Sequence, residues 1–131
     1  MTVADTDVLI DFLAGVEPAA GRIESELSRG VLCTTAISRF ELLSGARTQR
    51  QERAIRELLA AMPTLPLDDQ AADRASEVRR SLERTGASIG MADSLIAGIA
   101  LTHGAALLTR NRRHFERVAD LRLADLSGPA T

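Results

Sequence analysis

At 131 residues, 45% hydrophobic and 26% charged, the chain is the size of one globular domain, able to bury about 13,000 Å² of its unfolded surface. Its net charge of -2 comes from 16 basic and 18 acidic residues, and every basic residue is Arg; without Lys a Walker-A phosphate loop is excluded, and receiver domains or haloacid-dehalogenase-like phosphatases lose the Lys they usually place beside the phosphorylated Asp. Three Phe with no Trp or Tyr offer little to an RNA reader that stacks bases, and the slight acidity lacks the broad basic footprint of a nucleic-acid binder.

Short apolar runs alternate with helical patterns along the chain. Thr2-Val3-Ala4 is a strand that ends at Asp5, and 6–14 reads as a helix with Val8, Leu9, Phe12 and Leu13 on one face and Gly15 as its stop. A second helix, 19–29, closes at Gly30, a residue suited to a left-handed cap. A strand over 31–34 leads into a helix over 36–45 that is apolar apart from Arg39 and Glu41. Thr48-Gln49-Arg50-Gln51 fits a capping box, opening a helix whose buried stripe is Ala54, Ile55, Leu58, Leu59 and Met62. Pro63 and Pro66 bracket a short strand over 64–67, and Asp68 or Asp69 caps a long helix with Ala71, Ala75, Val78 and Leu82 at helical spacing. Residues 91–103 are apolar on nearly every side, as in a helix packed deep against a sheet. A strand over 105–109, a polar run from Arg110 to His114, a short helix over 115–118, a last strand near 121–123 and a frayed tail over 127–131 complete the chain.

Strands separated by helices predict a single α/β domain over 1–131, a three-layer sandwich around a mainly parallel sheet. Ligands then gather beyond the C-terminal ends of the strands. Cys33 lies within an apolar run, cannot form an internal disulfide and reads as a small core residue. With neither a signal-peptide pattern nor an apolar stretch long enough to cross a membrane, a cytoplasmic protein is expected.

Most of the acids, among them Glu24, Glu26, Glu52, Glu57, Glu77 and Glu83, sit on polar faces and read as solvated. Asp5, Glu41 and Asp93 do not: one ends the first strand, one lies between Phe40 and Leu42-Leu43, and one opens the apolar helix. Each has an ordinary explanation, with Asp5 or Asp93 as a helix cap and Glu41 paired with Arg39 or another Arg. A shared metal site accounts for all three at once, because carboxylates about 5 Å apart repel by roughly 3 kcal/mol unless a cation compensates them. Oxygen-only donors favour Mg²⁺, with Mn²⁺ as a substitute, over Zn²⁺.

In order along the chain stand Val3-Ala4-Asp5-Thr6-Asp7-Val8-Leu9-Ile10-Asp11, Ile37-Ser38-Arg39-Phe40-Glu41-Leu42-Leu43-Ser44-Gly45-Ala46, Ala92-Asp93-Ser94-Leu95-Ile96-Ala97 and Leu107-Leu108-Thr109-Arg110-Asn111-Arg112-Arg113-His114-Phe115. These four segments resemble, in order and spacing, the motifs of PIN-domain proteins of the VapC toxin type, over residues 2 to 124. The resemblance implies a PIN-like α/β/α sandwich and a Mg²⁺-dependent endoribonuclease, the toxin of a toxin–antitoxin pair, cutting tRNA or rRNA. It implies Asp5, Glu41 and Asp93 as catalytic residues that hold the metal directly or through water. Thr6 and Thr109 would support them, and Asn111 stands where the family often has Asp, a fourth position weakened by the missing charge. A homodimer, joined through 19–26 or 46–59, and a VapB-like antitoxin whose C-terminal segment lies near the acidic cluster are implied as partners, with no membrane.

Arg110, Arg112 and Arg113, followed by His114 and Arg117, form the densest cationic run and are expected to meet RNA phosphates. His114 reads as packing or substrate contact, and Arg47, Arg50, Arg53 and Arg56 as an exposed helical stripe. Asp7 and Asp11 are expected to project away from the metal. Two other readings stay open. Asn111 keeps alive a catalytically weak PIN-like subunit that binds RNA or a partner. Asp5-Thr6-Asp7-Val8 imitates the opening of a haloacid-dehalogenase-like phosphatase using Asp5, against which stand Leu9 and the missing Lys.

Overall fold

The computed structural model describes residues 1–127. Four strands, β1 (Thr2–Ala4), β2 (Leu32–Thr35), β3 (Thr64–Leu65) and β4 (Ala106–Leu108), form one sheet in the order β3-β2-β1-β4, with every pairing parallel. The helices that connect and follow them are α1 (Thr6–Ala14), α2 (Ala19–Arg29), α3 (Ala36–Gly45), α4 (Gln49–Ala60), α5 (Asp69–Arg84), α6 (Met91–Thr102) and, after β4, α7 (Arg112–Phe115). The chain steps outward from β1 to β3 and then returns to place β4 on the other side of β1. The strand order reverses there, and such a reversal opens a crevice at the C-terminal edge of a parallel sheet.

Alternation along each strand sends side chains to two separate cores. Val3, Cys33, Leu65 and Leu107 pack with α5, α6, Phe115 and Val118 on one face. Ala4, Leu32 and Leu108 pack with α1, α2, Leu42 of α3 and α4 on the other. Both faces of the sheet are therefore covered, as the three-layer expectation required. Cys33 is buried, and burial pushes its thiol up to about 11, so it acts as a small apolar side chain.

Local signals fix most helix ends. Gly15 and Gly30 take left-handed φ values of 71° and 69° at the ends of α1 and α2. Asp68, and not Asp69, caps α5 by accepting from Ala71 N at 2.9 Å. Thr48 Oγ1 accepts from Gln51 N at 3.1 Å, while Gln51 Oε1 reaches back to Arg47 N at 2.7 Å.

Several expectations need correction. The stripe of α4 holds Ile55, Leu58 and Leu59, whereas Ala54 is exposed. On α1, Leu13 is exposed and Asp11 is buried in its place. Glu26, read as solvated, is buried beside Arg22, whose Nε lies 3.0 Å from Glu26 Oε1. The last helix spans Arg112–Phe115, because Phe115 fills the core from the end of that turn. The strand expected near 121–123 is one parallel bridge, Leu107 with Leu123, extending the sheet beyond β4. Arg22 and Arg112 hold the chain that follows it, donating to Asp125 O at 2.6 Å and Ala124 O at 3.0 Å. Of the expected frayed tail, Ser127 turns back onto Asp125 Oδ1 at 3.0 Å, and 128–131 lie outside the described residues. Among the described residues no helix is long and apolar enough to cross a membrane.

Candidate active site

The C-terminal ends of β1 and β4 meet at the strand-order reversal, joined by Asp5 N donating to Leu108 O at 2.9 Å. Asp5 and Thr109, the residues that follow the two strands, therefore emerge side by side. Thr109 Oγ1 donates to Asp5 Oδ2 at 2.7 Å, and Asp5 Oδ1 caps α1 by accepting from Thr6 N at 2.8 Å. Both carboxylate oxygens are thus oriented. The expected cap role of Asp5 is present, and it leaves Oδ2 to accept from Thr109.

Glu41 reaches this edge from α3. Its Oε1 lies 2.6 Å from Thr6 Oγ1, which also lies 2.9 Å from Ser38 Oγ. A carboxylate only accepts, so Thr6 gives its single proton to Glu41 and accepts from Ser38. Thr6 meets Glu41 through its hydroxyl and Asp5 through its backbone N–H. Arg39 is not the partner of Glu41: its guanidinium meets Thr64 Oγ1 at 3.3 Å. Asp93, half-buried in the first turn of α6, acts on the charge of Asp5 and accepts from His114 Nδ1 at 2.7 Å.

Asp7 and Asp11 do not turn away. Asp7 Oδ2 accepts from Arg110 N at 3.1 Å and lies 3.3 Å from Thr109 Oγ1, while Asp11 Oδ2 meets Arg110 Nε at 3.1 Å. The sequence places Asp7 in the first turn of a helix starting at a strand end. Nothing local says that β4 will be the neighbouring strand, and that adjacency brings Thr109 and Arg110 onto it. Asn111 N donates to Thr109 Oγ1 at 2.9 Å, and its amide lies 3.1 Å from His114 Nδ1.

The edge is overloaded with negative charge. Burial above all, then the charge of Asp7 and more weakly that of Asp93, push Asp5 up from 3.8 to about 6, although the Thr109 and Thr6 hydrogen bonds pull it down. Burial raises Asp7 as well, against the Arg110 backbone hydrogen bond and charge. No Arg pairs with Asp5 or Asp93 among the described residues. The donors are oxygens, which suits a hard divalent cation. Among the described residues, no three His, Cys, Asp or Glu side chains close around a point that would hold an ion. The arrangement is an open acidic edge, suited to an ion that keeps several waters.

Of the expected phosphate contacts, Arg110 is paired with Asp11 and Arg112 holds Ala124 O. Arg113 lines a cleft beside His114.

The PIN domain family model matches residues 2–121. The chain is 35% identical over 127 residues to the tRNA(fMet)-specific endonuclease VapC of Shigella flexneri, covering 94% of this chain and 96% of that one. It is 34% identical over 122 residues to Ribonuclease VapC10 of Mycobacterium tuberculosis, covering 93% and 91%. A solved structure of VapBC-1 from nontypeable Haemophilus influenzae superposes with a TM-score of 0.83 at 27% identity, covering 97% of this chain and 98% of that one.

Proposed function

Because this chain belongs to the PIN-domain family, among relatives of the VapC type, we propose that it is a metal-dependent endoribonuclease acting as the toxin of a VapBC-type pair. The observation that carries the reading is the gathering of Asp5, Glu41 and Asp93 at one sheet edge, two of them oriented by the hydroxyls of Thr109 and Thr6. These three acids would hold Mg²⁺, or Mn²⁺ in its place. When bound, the cation neutralises charge on the phosphate and makes a water more acidic.

The chain's own residues do the positioning. Thr109 and the first turn of α1 fix both oxygens of Asp5. Thr6, backed by Ser38, fixes Glu41, and His114 holds Asp93. Asp7 accepts the Arg110 backbone and so holds the turn after β4 against α1. The reading takes the 1–131 chain as one domain that works as a homodimer.

An antitoxin of the VapB kind is the expected partner. A groove of about 450 Å³ runs beside Glu41 and is walled by Ile10, Leu13, Leu42, Ala46 and Ile55, an apolar seat for a peptide segment next to the acids. The decisive experiment incubates the protein with total tRNA and rRNA, with Mg²⁺ or with EDTA, beside an Asp5→Asn variant. Discrete cuts that vanish with EDTA and with the variant are expected. Intact RNA under every condition would leave the non-catalytic binding subunit, and a phosphorylated Asp5 would favour the phosphatase.

A further inference from the structure

The segment 112–117 faces the loop before α6 across a cleft of about 490 Å³, lined by residues 87–89 on one side and by Arg113, His114 and Arg117 on the other. We propose that this cleft binds the sugar–phosphate backbone of the RNA strand immediately beside the cut, with Arg113 and Arg117 on its phosphates. The inference rests on the ribonuclease reading and adds the direction in which the strand leaves the acids.

Three observations support it. The cationic run divides by occupation: Arg110 is paired with Asp11 and Arg112 with Ala124 O. Arg113 and Arg117 carry no ion pair or hydrogen bond among the described residues, and both line the cleft. The cleft is also continuous with the acidic edge through one side chain, since His114 lines it and touches Asp93 at 2.7 Å. A strand with one phosphate at Asp93 has its neighbouring phosphates within reach of the cleft, because successive phosphates lie only a few ångströms apart.

The lining also sets the kind of contact. No Phe, Tyr or Trp lines the cleft, and its polar groups are mainly cationic; Ser88 adds a hydroxyl and Glu116 a carboxylate. Guanidinium groups recognise phosphate oxygens bidentately and without regard to base. The cleft therefore fixes the register of the strand without selecting its sequence.

The test is equilibrium binding in EDTA, which stops cutting, of bulk tRNA and of a labelled mixed-sequence single-stranded 12-mer. The proteins are full-length wild type, Arg113→Ala/Arg117→Ala, and Arg113→Gln/Arg117→Gln, which keeps part of each stem if the alanine form unfolds. Arg79→Ala/Arg80→Ala on the exposed face of α5 is the control. Loss of two phosphate contacts should weaken binding by at least about fivefold and lower the salt slope by about 1.4, since each single-strand contact contributes about 0.7. With Mg²⁺ present, KM should rise more than kcat falls, and the control should match wild type. If wild type cuts RNA but the paired variants bind it with unchanged affinity and slope, the cleft proposal is wrong and the ribonuclease reading survives. If wild type neither binds nor cuts RNA, both fall. Binding of an acidic peptide that depends on Arg113 and Arg117, with RNA binding unaffected, would assign the cleft to a protein and overturn the proposal.

Discussion

His114 Nδ1 lies 2.7 Å from Asp93 Oδ2 and 3.1 Å from the Asn111 amide nitrogen, so one ring nitrogen links the fourth motif to the acid of the third. Since a carboxylate only accepts, Nδ1 carries a proton toward Asp93. The Asn111 amide nitrogen then faces a donor, a conflict that a half-turn of the amide removes by presenting its oxygen. The residue that departs from the family's frequent Asp thus helps to hold the His that holds Asp93.

His114→Ala should free Asp93 to rotate and weaken Mn²⁺ binding about tenfold, the usual effect of removing a partner of a metal-binding carboxylate. Calorimetric titration with Mn²⁺ reads this without RNA. Asn111→Asp, which adds an acceptor for the same proton and a negative charge, should tighten binding. Unchanged affinity in both variants would remove His114 from the site.

Thr109→Val keeps the shape of a fully buried side chain but removes the hydroxyl that orients Asp5. The expected loss is about 1–3 kcal/mol in denaturant unfolding, with RNA cleavage falling further than stability explains. Asp5 should also titrate still higher, because the lost bond is one that lowers it.

Asp5 gives a pH signature in the metal-free protein. Its carboxyl ionises at about 6 when folded and near 3.8 when unfolded, so folding favours its protonated form. That penalty is absent below about pH 4, develops as pH rises towards 6 and is complete above it, reaching roughly 2–3 kcal/mol. Asp5→Asn should therefore unfold at the wild-type temperature at pH 4 and at a higher temperature at pH 7. Added Mn²⁺ should raise the melting temperature of wild type at pH 7 and release protons. Equal melting of the two proteins at pH 7 without metal would contradict this.

Gly98 is where α6 meets α5 most closely: a Cβ there would stand 2.6 Å from Ala71 O and 2.7 Å from Ala75 N. Backbone atoms cannot step aside as a side-chain tip can. Gly98→Ala should cost about 1–3 kcal/mol or more and, by pushing α6 outward, displace Asp93. Denaturant unfolding and Mn²⁺ affinity should both change.

Ile10 and Leu13 are 50% and 37% exposed on the groove beside Glu41. Ile10→Asp/Leu13→Asp should abolish neutralisation by the antitoxin in a co-expression growth assay while leaving RNA cleavage by the purified protein intact. Retained neutralisation would place the antitoxin elsewhere.

The local sequence determined a great deal here. Helix starts at Thr6 and Thr48 and stops at Gly15 and Gly30 were legible, and the start of α5 to within Asp68 or Asp69, because capping and left-handed turns depend on a few adjacent residues. The two-sided burial of the strands was legible in their alternation with helices, which implies a parallel sheet covered on both faces. Asp5, Glu41 and Asp93 stood out because acids in apolar settings need a reason.

Contacts between distant segments were not legible. Asp7 and Asp11 are expected from the sequence to project away from the metal because a helix face has no meaning until its neighbour is known, and the neighbour, β4, lies about a hundred residues away and brings Thr109 and Arg110. The four arginines of the cationic run look alike in the chain. Tertiary contacts give Arg110 to Asp11 and Arg112 to Ala124 O, and leave Arg113 and Arg117 on the cleft. The same −2 net charge is resolved in this way into an acidic edge and a cationic cleft joined by His114. Composition counts charges, whereas the strand order decides which of them share a dielectric and a distance.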